Sequence, residues 1–220
     1  MTEQHETSFP RRAFLRLALA VPAPLALAAY GSGALGGVLG EGARWMTGQV
    51  AHAQTLPPTP ACGDGADATL AQTEGPYFKR DSPERASLVE PEMAGTRLVV
   101  SGYVLTRNCR PVAGALLDFW QADAAGAYDN QGNRLRGHQF TDESGRYYLE
   151  TVVPGLYPGR TRHIHVKAQA PNQPVLTTQL YFPGEARNRN DGIFRDALVM
   201  SMEDTAAGQA GTFNFVLNVG

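Results

Sequence analysis

Little in this 220-residue sequence is extreme, and each thing it lacks removes a class of function. It has no excess of either charge: 19 Lys and Arg stand against 21 Asp and Glu, for a formal charge of −2. Without a basic patch or stripe there is no electrostatic footprint for a polyanion, so nucleic acid is excluded as a partner. Cysteine is scarce, and the two present, Cys62 and Cys109, form no CxxC pair of the kind that frames a thiolate zinc site. Long apolar runs are missing too. The one candidate, Leu17 to Ala29, is interrupted by Pro22 and Pro24 and is too short to span a bilayer comfortably. Beyond it there is no sustained helical period and no internal repeat. Histidine is also sparse: of five, three (His138, His163 and His165) lie beyond residue 53.

What is present begins with "FPRRAFLRLALAVPAPLALAA". Arg11 and Arg12 are followed by one variable residue, then Phe14, Leu15 and the basic Arg16, ahead of the apolar run. This resembles a twin-arginine export signal. The small-residue stretch "AHA" before Gln54 marks the expected cleavage, so residues 1–53 are read as signal peptide and processing region. The mature protein is expected in the periplasm or outside the cell, and an uncleaved membrane anchor is the alternative. Cleavage removes four arginines and three glutamates and leaves a net charge of −3. In an oxidising compartment Cys62 and Cys109 are expected to pair as a disulfide, contributing roughly 3–4 kcal/mol if unstrained. Twin-arginine passage normally carries proteins already folded and often already loaded with a cofactor, which favours a metal.

Residues 54–96 are rich in Pro, Gly, Asp and Glu and read as an arm packed on the domain. From residue 97 to 220 the texture is that of short strands separated by turn clusters such as "DESG", "APNQP" and "FPGEARNRNDG". Candidate strands are "RLVVSGYVLT", "ALLDFWQA", "RYYLETVV", "RHIHVKAQA", "VLTTQLYF", "DALVMSME" and "TFNFVLNV". In "ALLDFWQA" alternation puts Leu116, Asp118 and Trp120 on one face and Leu117 and Phe119 on the other. The fold class is therefore all-β, a β-sandwich of mainly antiparallel strands with an N-terminal wrapping arm.

Chemistry enters at "PGRTRHIH". In a strand, residues i and i+2 face the same way, so His163 and His165 present two imidazoles on one side, a pair able to close on a metal ion. Further ligands must come from elsewhere. Cys62 and Cys109 would complete a zinc site but lie in the arm and in a turn. A two-histidine, one-carboxylate site usually has its acid adjacent to a histidine, as in a His-x-Asp pattern, but here the position between the pair is Ile164, and Asp118, Asp142 and Glu150 are better read as turn or strand residues. Tyrosine is the remaining donor, with Tyr128 in "QADAAGAYDNQG" and Tyr157 in "VPGLYPGR". A phenol of pKa about 10 binds as tyrosinate only when a strong Lewis acid offsets the lost proton, which a trivalent ion does better than zinc.

The ordered series "TEGPYF", "VAGALLDFWQADAAGAYD", "LRGHQFTDESGRYYLETVVPGLYPGRTRHIH" and "LTTQLYF" resembles the intradiol ring-cleavage dioxygenases over nearly all of the mature chain. The resemblance implies one iron(III) per chain, held by Tyr128, Tyr157, His163 and His165, with Tyr157 as the tyrosinate that leaves when substrate binds. It implies catalytic roles for Arg160, which would stabilise negative charge on the ring, and for Gln179 on the oxygen-reaction side. Gly75, Pro76 and Tyr77 match a segment that lines the substrate cleft. The implied substrates are a catechol-type diol and O2, and the product is a cis,cis-muconate-type diacid. A homo-oligomer is compatible with this reading. Where well-known members read Arg-Pro-Ala-His, this chain reads Arg160-Thr161-Arg162-His163, and Arg162 receives no role. The competing expectations are a non-catalytic secreted β-sandwich binding module and a zinc hydrolase. His138 is expected to be a polar strand residue.

Overall fold

The computed structural model describes residues 66–219. The expected export signal, Cys62 and the first part of the arm lie outside the described residues.

Among the described residues, nine strands form two sheets. They are β1 (Arg97–Thr106), β2 (Leu116–Trp120), β3 (Arg136–Phe140), β4 (Arg146–Val152), β5 (His163–Gln169), β6 (Leu176–Tyr181), β7 (Ser201–Thr205), β8 (Gly208–Thr212) and β9 (Phe215–Leu217). One sheet runs β4-β1-β8-β7, with β9 also paired to β1, and the other runs β3-β2-β5-β6. Every pairing is antiparallel except those of β1 with β8 and with β9. The core lies where alternation demands. Leu117 and Phe119 of β2, Ile164, Val166 and Ala168 of β5, and Leu98, Val100 and Val104 of β1 are buried together in one cluster. Fully burying side chains of this size contributes about 1.5–3 kcal/mol each, which makes the inward faces of the two sheets the main source of stability.

The described part of the arm lies along both sheets. Thr69 and Gln72 donate backbone hydrogen bonds to the Val216 and Thr177 carbonyls, and Arg85 and Leu88 to those of His138 and Glu150. Leu88 and Met93 add their side chains to the core. Cys109, in the turn after β1, is disulfide-bonded.

The strand pattern departs from expectation at the C-terminal end. "DALVMSME" opens with a 3-10 turn, Asp196–Leu198, and only Ser201 onward is strand. "GQAGT", which has no apolar alternation, nevertheless forms β8. It does so because β1 needs a neighbour on that side and Gly208 (φ +143°) lets the β7–β8 turn close against the Arg97 carbonyl, which a Cβ would approach to 2.3 Å.

Candidate active site

Strand register sets out the site. Arg136 of β3, Trp120 of β2, His165 of β5 and Gln179 of β6 are successive cross-strand partners, and His163 stands opposite Tyr181 in the next row. Directly opposed residues share a face, so these side chains line the side of the sheet turned away from the core. The segment "TEGPYF" covers that side. A Cβ on Gly75 (φ +70°) would lie 3.4 Å from His165 Cε1, and Trp120 stacks on the same imidazole with ring centroids 4.8 Å apart.

Two loops deliver the tyrosines, Tyr128 between β2 and β3 and Tyr157 between β4 and β5. They touch back to back through glycines. A Cβ on Gly126 would meet the Leu156 carbonyl oxygen at 2.4 Å, and one on Gly155 would meet the Gly126 nitrogen at 2.3 Å. The Asp123 carbonyl accepts from both Gly126 N–H and Gly155 N–H, joining the loops at one atom. The Asp123 carboxylate accepts from Ala125 and Ala127 N–H and so shapes the turn into Tyr128. On the far side the Asp129 carboxylate accepts from the N–H groups of Gln131, Gly132 and Arg134, and these bonds take its pKa down to about 2.

Three donor groups gather at the centre, and Tyr157 stands beside them. His163 Nε2 lies 3.2 Å from His165 Nε2 and 3.3 Å from Tyr128 Oη. Tyr77 stacks on Tyr128 at 4.3 Å, and its Oη shares a 2.7 Å hydrogen bond with Tyr157 Oη. The Tyr128 and Tyr157 rings are 5.8 Å apart. His163 Nδ1–H donates to the Thr161 carbonyl at 2.6 Å, which leaves its Nε2 lone pair for the centre. Burial lowers the His163 pKa to about 4; burial first, then His163 and Arg160, holds that of His165 well below the ordinary value. Both imidazoles are neutral at neutral pH, the form that binds a metal. Burial also raises the pKa of Tyr128. Its proton leaves only if a strong positive charge is supplied, so two neutral imidazoles and two phenols fit a small, highly charged cation.

The predicted catalytic pair is also assembled. Arg160 Nη2 donates to Gln179 Oε1 at 2.6 Å, and Gln179 Nε2 donates to the Thr73 carbonyl of the arm at 2.9 Å. Of the predicted cleft segment, Gly75 abuts His165 and Tyr77 touches both tyrosines, while Pro76 between them is exposed.

The hydrolase reading finds little. Among the described residues no three His, Cys, Asp or Glu side chains gather, and Cys109 is committed to its disulfide rather than free as a thiolate. Ser82, His138 and Asp118 do meet, but in an unproductive order. The Ser82 hydroxyl donates to Asp118 at 2.8 Å, and His138 Nδ1–H donates to the Ser82 carbonyl at 2.8 Å, so that nitrogen has no lone pair to take the hydroxyl proton.

Among known families, Dioxygenase_C, a family of dioxygenases, matches residues 73–219. The chain belongs to the intradiol ring-cleavage dioxygenase family. It is 34% identical over 151 residues to the protocatechuate 3,4-dioxygenase beta chain of Burkholderia cepacia, covering 56% of this chain and 64% of that one. It is 29% identical over 168 residues to a hydroxyquinol 1,2-dioxygenase of Nocardioides simplex, covering 64% and 57%. The chain thus spans under two thirds of the length of these curated relatives. It spans all of a solved dioxygenase domain, from a dioxygenase carbohydrate-binding protein fusion of the cellulolytic bacterium Streptomyces sp. SirexAA-E, at 62% identity and TM-score 0.69 over 70% of this chain.

Against the intradiol dioxygenase pattern, the Thr161-Arg162 departure now has a structural account. Arg162 Nε pairs with Glu185 at 2.6 Å and an Nη donates to the Pro154 carbonyl, tying the Tyr157 loop to the segment after β6. Fully buried Thr161 donates its N–H to Asp191 and its hydroxyl to Asn188. Sequence reasoning missed Asp191 and Arg136. Asp191 sits in a turn-rich stretch that reads only as loop. Arg136, 2% exposed, donates to the Tyr77 carbonyl at 2.6 Å and to the Asp129 carbonyl at 2.9 Å, clamping the segments behind two of the tyrosines. Tyr181, pushed up to about 12 by burial, adds its hydroxyl to Gln179 Oε1 at 3.1 Å.

Proposed function

We propose that the protein is an exported, iron(III)-dependent intradiol dioxygenase with one iron per chain. It inserts both atoms of O2 into a catechol-type diol and opens the ring between the hydroxyls to a cis,cis-muconate-type diacid. The observation that carries this reading is the convergence of His163, His165 and Tyr128, with Tyr157 beside them, in a chain of this family. The relatives' names support an ortho-diol substrate, since protocatechuate, hydroxyquinol and catechol all carry one.

Bound by Tyr128, Tyr157, His163 and His165, iron(III) would supply Lewis-acid activation of the diol toward O2. The chain's own residues do the rest. The Thr161 carbonyl and the Trp120 ring hold the two imidazoles in line. Tyr157, half-buried and hydrogen-bonded to Tyr77, is the tyrosine placed to leave, and as tyrosinate its Oη would take one of the protons that the diol gives up, becoming the neutral phenol. Arg160, steadied by Gln179, places a cation beside negative charge that develops on the ring. Gly75 and Tyr77 form the wall against which the ring lies. The resemblance of residues 11–29 to a twin-arginine export signal supports a periplasmic or extracellular setting, with small aromatic diols met there as substrates.

The test is a visible absorption spectrum of the purified, iron-loaded protein before and after anaerobic addition of catechol. A tyrosinate-to-iron band that shifts on addition is the expected result, and His163→Ala should be colourless or iron-poor. Folded protein that binds iron without such a band would overturn the tyrosine assignment. Folded protein that binds no iron would favour the secreted binding module.

A further inference from the structure

A carboxylate outside the expected ligand and catalytic set sits at the crossing of two parts of the site. The Asp191 side chain is 3% exposed, and a carboxylate so enclosed persists only when its oxygens are paired. Its Oδ2 accepts from Arg160 Nε at 2.8 Å and from Thr161 N–H at 2.9 Å, and its Oδ1 accepts from Ile193 N–H at 3.2 Å. Arg160 is therefore gripped at two points, by Asp191 at Nε and by Gln179 at Nη2. A guanidinium is a flat, rigid fork, so two fixed nitrogens fix the direction of the third.

The other bond reaches the histidines. Thr161 is 0% exposed and is held by the same segment at two atoms, its N–H by Asp191 and its hydroxyl by Asn188 at 2.6 Å. The carbonyl of this immobilised residue receives His163 Nδ1–H. A proline at position 161 could make neither the N–H bond nor the hydroxyl bond, so the linkage depends on this chain's own Thr161.

We propose that Asp191 is a positioning residue: it aims the Arg160 guanidinium at the diol site and, through Thr161, sets the orientation of His163. The proposal rests on the role given to Arg160 under the preceding heading. Asp191 itself touches neither the donor atoms nor the place of the diol, so it acts only through the residues it holds.

The experiment compares iron-loaded, full-length Asp191→Asn, Arg160→Ala and the double variant with the parent protein. Asparagine keeps the shape and removes the charge. Asp191→Asn is expected to keep its iron and its tyrosinate band, to change KM for catechol by less than about threefold, and to lose about tenfold or more in kcat. If Asp191 works mainly by aiming Arg160, the double variant is slower than Arg160→Ala alone only by the part that reaches His163 through Thr161, less than about threefold, rather than by a further tenfold. Losses that multiply in the double variant, or wild-type turnover in Asp191→Asn, would overturn the proposal. If Arg160→Ala itself turns over normally, the role of Arg160 falls, and the fault lies in the underlying reading rather than in the Asp191 contact. A measurement without turnover stands beside these. In metal-free full-length protein the Arg160 Nε–H resonance should exchange slowly with solvent, and fast exchange there would refute the clamp even if Asp191→Asn fails to fold.

Discussion

Gly75 is the residue at which backbone conformation and site chemistry meet. Its φ of +70° suits glycine, and a methyl there would reach His165 Cε1 at 3.4 Å. Gly75→Ala should therefore destabilise the fold by about 1–2 kcal/mol through left-handed strain, while its methyl only comes into van der Waals contact with the histidine. Urea unfolding should show the strain, and a visible band that keeps its position would show that the histidine is not displaced. Arg136 presents the opposite case, a buried cation whose pKa burial lowers and whose partners include main-chain carbonyls of Tyr77, Asp129 and, through Nε at 3.2 Å, Asp129 again. Arg136→Met leaves those carbonyls unpaired. A loss of about 2–4 kcal/mol in urea unfolding is expected, with a shifted band because the peptide next to Tyr128 is released.

At the scale of elements, the contact between the Tyr128 and Tyr157 loops gives a sharp prediction. Gly155→Ala puts a methyl 2.3 Å from the Gly126 nitrogen and 2.5 Å from the Ala124 carbonyl oxygen, so one loop must lift. The sheets do not depend on that contact. Far-UV circular dichroism should stay unchanged while iron loading drops, and an unchanged iron content would show that the loops tolerate separation. The same scale explains what could be read from sequence. Strand β5 was legible because "HIHVKAQ" alternates donors on one face with Ile164, Val166 and Ala168 on the other, a pattern that burial on two distinct faces imposes. The tyrosines were legible through the family resemblance, and Gly126 and Gly155 show the physical need behind the glycines of those two motifs. By contrast β8 has no alternation of its own and exists through pairing with β1 and β7. Asp191 and Arg136 act on backbone groups and on a side chain that the fold alone brings near, and no local spacing encodes such meetings.

For the whole molecule, the lowered histidine pKa values become a stability statement. In the metal-free fold His163 stays neutral down to about pH 4, whereas the unfolded chain takes up that proton near pH 6.5. The unfolded state then binds more protons throughout that window, so stability falls as pH falls through it, by up to about 1.4 kcal/mol per pH unit for each such histidine. His165, shifted in the same direction, adds to the slope. Urea midpoints of metal-free protein between pH 7 and pH 4 should record this acid sensitivity, and His163→Gln should make it shallower, leaving the share of His165; a flat profile in the parent would show that the histidines are solvated.

Strand β5 is paired on both sides, with His165 opposite Trp120 on one neighbour and Gln179 on the other. A slip of one residue would send both histidines into the core and turn Ile164 and Val166 outward. Only the native pairing gathers the donors, so a bound cation favours that pairing by mass action over every misaligned one. If the proposed iron binds there, the centre would proofread the sheet that builds it: a chain folded out of register would hold no metal, and the share of chains that take it up would count the correctly aligned sheets.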